Sequence, residues 1–81
     1  MRKSKNLWRG WKREQPSQKE RTEMLSRCGR RCFLGKKTAF PICTKNTCKV
    51  NKKGLYAAYI RARQTKKNSI AKRAKRLISQ Y

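Results

Sequence analysis

Four cysteines carry the most definite chemistry that the residue types of this chain allow. They lie in the stretch CGRRCFLGKKTAFPICTKNTC, residues 28 to 48, as the pairs Cys28-x3-Cys32 and Cys43-x4-Cys48 with ten residues between the pairs. Both spacings fall within the range of zinc ligands, and two such pairs can close a tetrahedral four-thiolate site. Arg30, Arg31, Lys36, Lys37, Lys45 and Lys49 surround the sulfurs in sequence. Cations of this kind favour thiolates and offset a doubly negative zinc–tetrathiolate centre. Against zinc stand the short interval between the pairs and the absence of a Cys-x2-Cys knuckle. The rival chemistry is two disulfides, for which four cysteines allow three pairings. A helix end followed by a hairpin could set Cys28 opposite Cys48 and Cys32 opposite Cys43 in a nested ladder. Each closed loop would contribute on the order of 3 kcal/mol through chain entropy. On the residues alone zinc and disulfides stand nearly even, and four reduced core thiols are the weakest account.

Catalysis is nearly excluded by inventory. The chain has no His and no Asp, and its only acids are Glu14, Glu20 and Glu23. That leaves no general base and no carboxylate pair. Neither a phosphate-binding glycine loop nor a dinucleotide fingerprint is present, and the Cys-x-x-Cys redox spacing is missing. The chain therefore reads as non-enzymatic, with no catalytic residue, no small-molecule substrate and no cofactor, the alternative being a structural zinc at the four cysteines.

Charge points to binding instead. Against three acids stand 25 Lys and Arg, for a net charge of +22, and from Met24 to Tyr81 there are 17 basic residues and no acid. Such a surface repels itself and is relieved by a polyanion. Nucleic acid binds Lys and Arg through counterion release; anionic lipid and an acidic protein face are the other candidates. The residues assigned to this surface are Arg30, Arg31, Lys36, Lys37, Lys52, Lys53, Arg61, Arg63, Lys72, Arg73, Lys75 and Arg76. A second feature is LWRGWKR, where Trp8 and Trp11 stand amid Arg9, Lys12 and Arg13. Tryptophans among cations read as a partner anchor that inserts into a groove or a lipid interface.

The elements that must position these residues are short. Hydrophobic residues make up 36% of the 81-residue chain, and six of them are alanine. So small a core calls for a covalent or metal staple. No run of about 18 apolar residues exists, and the basic start MRKSKNLWRGWKRE lacks the apolar stretch of a signal peptide. Ser17 and Glu20 match a capping box that opens a helix over Gln18 to Cys28, with Gly29 as its stop. Phe33, Leu34, Phe40 and Ile42 flank a turn at Gly35-Lys36-Lys37 and read as a short hairpin. Thr44-Lys45-Asn46-Thr47 makes a second turn. Asn51 caps a second helix through LYAAYIRARQ, and Gln64 to Asn68 reads as a break. Asn68 or Ser69 then caps a third helix, on which Ile70, Ala71, Ala74, Leu77, Ile78 and Tyr81 form one apolar stripe. The fold expected is mainly α: a small disulfide- or zinc-stapled module of about three short helices with an extended basic arm. Its parts are the Trp-containing arm 1–16, the cysteine-stapled core 17–67 and the basic amphipathic C-terminal helix 68–81.

The motifs WRGW, ERTEML, CGRRCFL, FPIC and KGLYAAYIRARQ, spread from Trp8 to Gln64, resemble a family of small basic cysteine-containing proteins of nucleocytoplasmic large DNA viruses. The resemblance implies a virion component, a minor capsid or internal protein that is found in the particle and, during assembly, in the cytoplasmic or nuclear virus factory. Its implied partners are capsid proteins, viral DNA or the anionic inner membrane. Such viruses carry their own thiol-oxidase pathway, so the resemblance also favours disulfides over zinc in a compartment that is normally reducing. A histone-like DNA-condensing protein and a small zinc-bearing ribosomal protein are the alternative readings.

Overall fold

Pro16 and Ser17 set where the first long helix begins. The structure, a computed structural model, describes residues 9–81. Ser17 holds an extended backbone, its Oγ accepts from the Glu20 N–H at 3.2 Å, and Glu20 Oε1 accepts from the Ser17 N–H at 2.7 Å. Two of the helix's orphan donors are thereby satisfied reciprocally. A single turn, α1 (Trp11–Glu14), precedes this cap, and α2 (Gln18–Cys28) follows it over the span the sequence predicts. Gly29 ends α2 and opens a 3-10 turn, Gly29–Cys32, which carries Cys32 into the core.

The segment after it is the predicted hairpin in minimal form. The Leu34 N–H donates to Phe40 O, the Gly35 N–H to Ala39 O and the Ile42 N–H to Cys32 O. Pairing is too short to make strands, and what remains are two isolated bridges, Phe33 with Pro41 and Cys43 with Val50. The second bridge closes the turn at Thr44 to Thr47, where Asn46 takes the left-handed conformation that Asn tolerates.

Across this hairpin the sulfurs pair as Cys28–Cys48 and Cys32–Cys43, with Cα–Cα distances of 5.4 and 5.2 Å. The two bonds are nested, the shorter loop inside the longer. All four sulfurs are thereby committed to two disulfides, and no cysteine among the described residues is free. Cys32 and Cys43 are fully buried, whereas Cys28 and Cys48 are half-buried.

Asn51 Oδ1 accepts from the Lys53 N–H at 2.9 Å and caps α3 (Lys52–Gln64). The last helix, α4 (Asn68–Gln80), packs back on α3. Four of their buried residues are Ala58, Ala62, Ala71 and Ala74, small enough to let the two backbones approach closely. The core is continuous. Ala74 of α4 is in one buried cluster with Met24, Phe33, Ile42 and Leu55, so residues 68–81 complete the domain formed by 17–67. The arm also joins it from Trp11 onward, and only its first residues lie outside the described part.

One boundary differs from the sequence expectation. Neither Asn68 nor Ser69 caps α4; Lys67 occupies the cap position with no side-chain bond. The reason is the shortness of the link. The Lys67 N–H donates to Ala62 O and the Lys66 N–H to Arg63 O, a Schellman closure of α3. Lys67 thus ends one helix and begins the next. Lys66, at φ 58°, stands where glycine is preferred. Left-handed backbone costs a Cβ-bearing residue about 1–2 kcal/mol, and the extra unfolded-state freedom of glycine offsets about 0.5–1 kcal/mol of that gain. Lys66→Gly should raise stability by about 0.5–1 kcal/mol, seen as a higher denaturant midpoint at unchanged slope.

Candidate polyanion-binding surface

The WRGW element turns inward. Gly10, at φ 92°, takes a conformation that L side chains rarely adopt, and so directs the chain into α1. Trp11 follows with 7% of its surface exposed. Its ring lies on Gly54, in the first turn of α3; a Cβ there would stand 2.7 Å from Cη2 and 2.9 Å from Cζ2. The expected partner anchor at Trp11 is therefore occupied inside the fold, seated where glycine leaves room. Trp8 lies outside the described residues.

Glu14 holds the same junction from the other side. Lys53 Nζ is 2.6 Å from Glu14 Oε2, Asn51 Nδ2 donates to Glu14 Oε1 at 2.7 Å, and the Lys45 N–H donates to Glu14 O at 2.8 Å. Sequence reasoning found no role for Glu14, because its partners stand 37 and 39 residues away and no spacing signals them. Lys53, expected to bind an external anion, is committed to this carboxylate. It forms the only ion pair among the described residues.

Hydrogen bonds from Lys53 and Asn51 hold the Glu14 pKa below its ordinary 4.5. The Ser17 N–H and Oγ, with Asn46, do the same for Glu20. A carboxylate whose folded pKa is depressed stabilises the fold above its unfolded value and loses that contribution as pH falls through the folded one. Glu14→Gln should therefore lower stability most at neutral pH. The gap to the wild type should close as pH falls below 4.5 through the lowered value. Urea midpoints across this range would show it; a gap independent of pH would exclude the ion pair as the cause.

Of the cations assigned to the binding surface, all but Lys53 are exposed. The structure gathers three of them. Arg30, Arg31 and Arg73, together with Lys49, rim an open cleft of about 610 Å³ between the cysteine loop and α4. Its apolar floor includes Leu34, Ile42, Val50 and Leu77, and the exposed Tyr81 ring stands at its edge. Arg30 Nη2 donates to Gly35 O at 2.5 Å, and Arg73 Nη1 donates to Leu34 O at 3.4 Å, so two of the rim cations are tied to the hairpin. Lys49 was recognised in the sequence only as a neighbour of the cysteines. Arg61 instead lines, with Arg21, Trp11, Phe40 and Pro41, a second cleft of about 400 Å³. Arg63 lies over the Tyr59 ring, 5.7 Å from its centroid, and its Nη1 donates to the Tyr59 hydroxyl at 3.3 Å. Lys36, Lys37, Lys52, Lys72, Lys75 and Arg76 are exposed and line neither cleft.

Chemically, this is a disulfide-held frame that displays cations, with one ion pair among the described residues. No helix among the described residues is long and apolar enough to cross a membrane. Comparison with protein families, with curated proteins and with solved structures finds no match for the chain.

Proposed function

We propose that the chain is a non-enzymatic structural component of a large DNA virus particle, a minor capsid or internal protein whose cationic shell binds acidic capsid faces. The observation that carries the binding part is that, among the described residues, nearly all Lys and Arg are exposed and one ion pair forms, on a frame held by two disulfides. A small fold that keeps so much uncompensated charge gains stability when a polyanion covers it. The viral part rests on the resemblance of WRGW, CGRRCFL and KGLYAAYIRARQ. Fractionation of infected cells tests it: the protein should copurify with particles, and its absence from purified virions would end this reading.

Packaged DNA is the second reading, and one observation favours it. Lys72, Lys75 and Arg76 are exposed on α4 outside both clefts, and Lys36 and Lys37 at the hairpin tip, so charge is spread rather than confined to a recess. A shell that neutralises six to ten phosphates should lose about a thousandfold or more in affinity between about 50 and 200 mM salt, with little sequence preference. Fluorescence anisotropy on duplex DNA measures the slope, and a flat dependence would remove DNA as the ligand.

A further inference from the structure

We propose that the cleft between the cysteine loop and α4 is a docking groove for an acidic peptide segment of a partner protein. That segment sets carboxylates against the rim and an aliphatic or aromatic side chain onto the floor. The proposal rests on the reading of the protein as a binder of acidic protein faces and names where and how it binds them.

Charge complementarity gives the first argument. Four cations rim the cleft and no acidic side chain lines it. The floor gives the second. A phosphate backbone needs only cations, and nucleobases need aromatic platforms, of which the cleft has one, Tyr81. Aliphatic floor residues such as Val50 and Leu77 give a phosphate backbone no partner and a nucleobase no stacking face. A lipid surface takes a protruding apolar face, whereas this one is recessed. A peptide that interleaves Asp or Glu with a large apolar residue satisfies both rim and floor. The recess lies within the usual size of ligand clefts, and Tyr81, 58% exposed, is the one large apolar side chain left uncovered among the described residues.

Preorganisation is the third argument. The Cys28–Cys48 bond and the two arginine–carbonyl bonds hold the walls before any partner arrives. Little ordering is left to be done on binding. The Arg31 and Lys49 side chains make no hydrogen bond among the described residues and are exposed, so they are the rim cations open to a new carboxylate.

The test uses the full oxidised chain and three probes: a short labelled peptide of glutamates around a central Leu-Phe pair, the same peptide with Ser-Ser at its centre, and a single-stranded oligonucleotide of equal charge. The Leu-Phe peptide should bind about tenfold tighter than the Ser-Ser peptide. Arg31→Glu with Lys49→Glu should weaken it at least about tenfold, while Lys66→Glu with Lys67→Glu, an equal charge change in the α3–α4 link, should cost less than about threefold. Circular dichroism and intact mass establish that each variant folds with both disulfides. Equal affinity for the two peptides, equal losses in the two double variants, or tighter binding of the oligonucleotide through Arg31 and Lys49 would each overturn the groove. If only the preference for the apolar centre fails, the cationic shell stands and the groove falls. If no probe binds at physiological salt, both fall.

Discussion

Reducing both disulfides is expected to unfold the protein. Loops closed over sequence separations of 11 and 20 each restrict the unfolded chain by about 3 kcal/mol. Because the loops are nested, the joint effect is less than the sum, on the order of 4–5 kcal/mol. A core of this size supplies little more than about 3–5 kcal/mol, and a net charge of +22 opposes compaction throughout. Titration with reductant, followed by circular dichroism and by intact mass, should show helicity lost with the second bond. Burial sets the order. Cys28–Cys48 is half-buried and should open first, and Cys32–Cys43, with no exposed surface, should open only as the fold fails. Cys32→Ala with Cys43→Ala should likewise cost more than Cys28→Ser with Cys48→Ser, because it adds voids in the core to the lost cross-link. Helicity that survives full reduction would show that the small core suffices without its staple.

Trp11→Ala should cost about 3–5 kcal/mol, the range for removing a buried aromatic residue. An anchor reserved for a partner would behave otherwise: its loss would weaken binding and leave unfolding untouched. Gly54 sharpens the test. Gly54→Ala places a methyl group on the Trp11 ring, and overpacking of this kind costs about 1–3 kcal/mol. The same change in a helix gains about 1 kcal/mol of propensity. In the wild type overpacking should win, and the variant should be less stable. In the Trp11→Ala background the clash is gone, so Gly54→Ala should become stabilising by about 1 kcal/mol. Urea unfolding of the four proteins reads this coupling directly. Additive changes would mean that the tryptophan ring does not rest on Gly54.

The parts of the molecule legible in its sequence are those whose physics is local. Ser17 and Glu20 are three residues apart, and the capping box they form needs nothing beyond one helical turn. Asn51 caps α3 for the same reason, and the stripe from Ile70 to Leu77 faces inward because helical period alone decides which residues share a face. The hairpin was legible from its apolar flanks, but its turn closes from Lys36 to Ala39, past the expected Gly35-Lys36-Lys37, because Gly35 pairs with Ala39 as part of the hairpin arm. The sulfur spacing admitted the nested pairing as one choice among several, since hairpin geometry restricts but does not select among thiol chemistries.

Tertiary structure decided what depends on separation in space without regularity in sequence. Trp11 looked like an exposed anchor because its local neighbours are cations; it is buried because a glycine 43 positions later leaves a seat. Glu14 looked like a lone acid in a basic arm, and it locks α1 to the start of α3 through Asn51 and Lys53. Lys67 took over a cap position from Asn68 because two helices share too short a link to afford separate ends. The grouping of Arg30 and Arg31 with Lys49 and Arg73 required the hairpin and α4 to meet. The sequence by itself determined an uncompensated cationic chain with helices of stated span and a need for a staple, because charge count and helical period are properties of neighbours. Which cations share a cleft, and which aromatic residue is spent inside, were decided by packing, because only the folded chain brings those distant residues into contact.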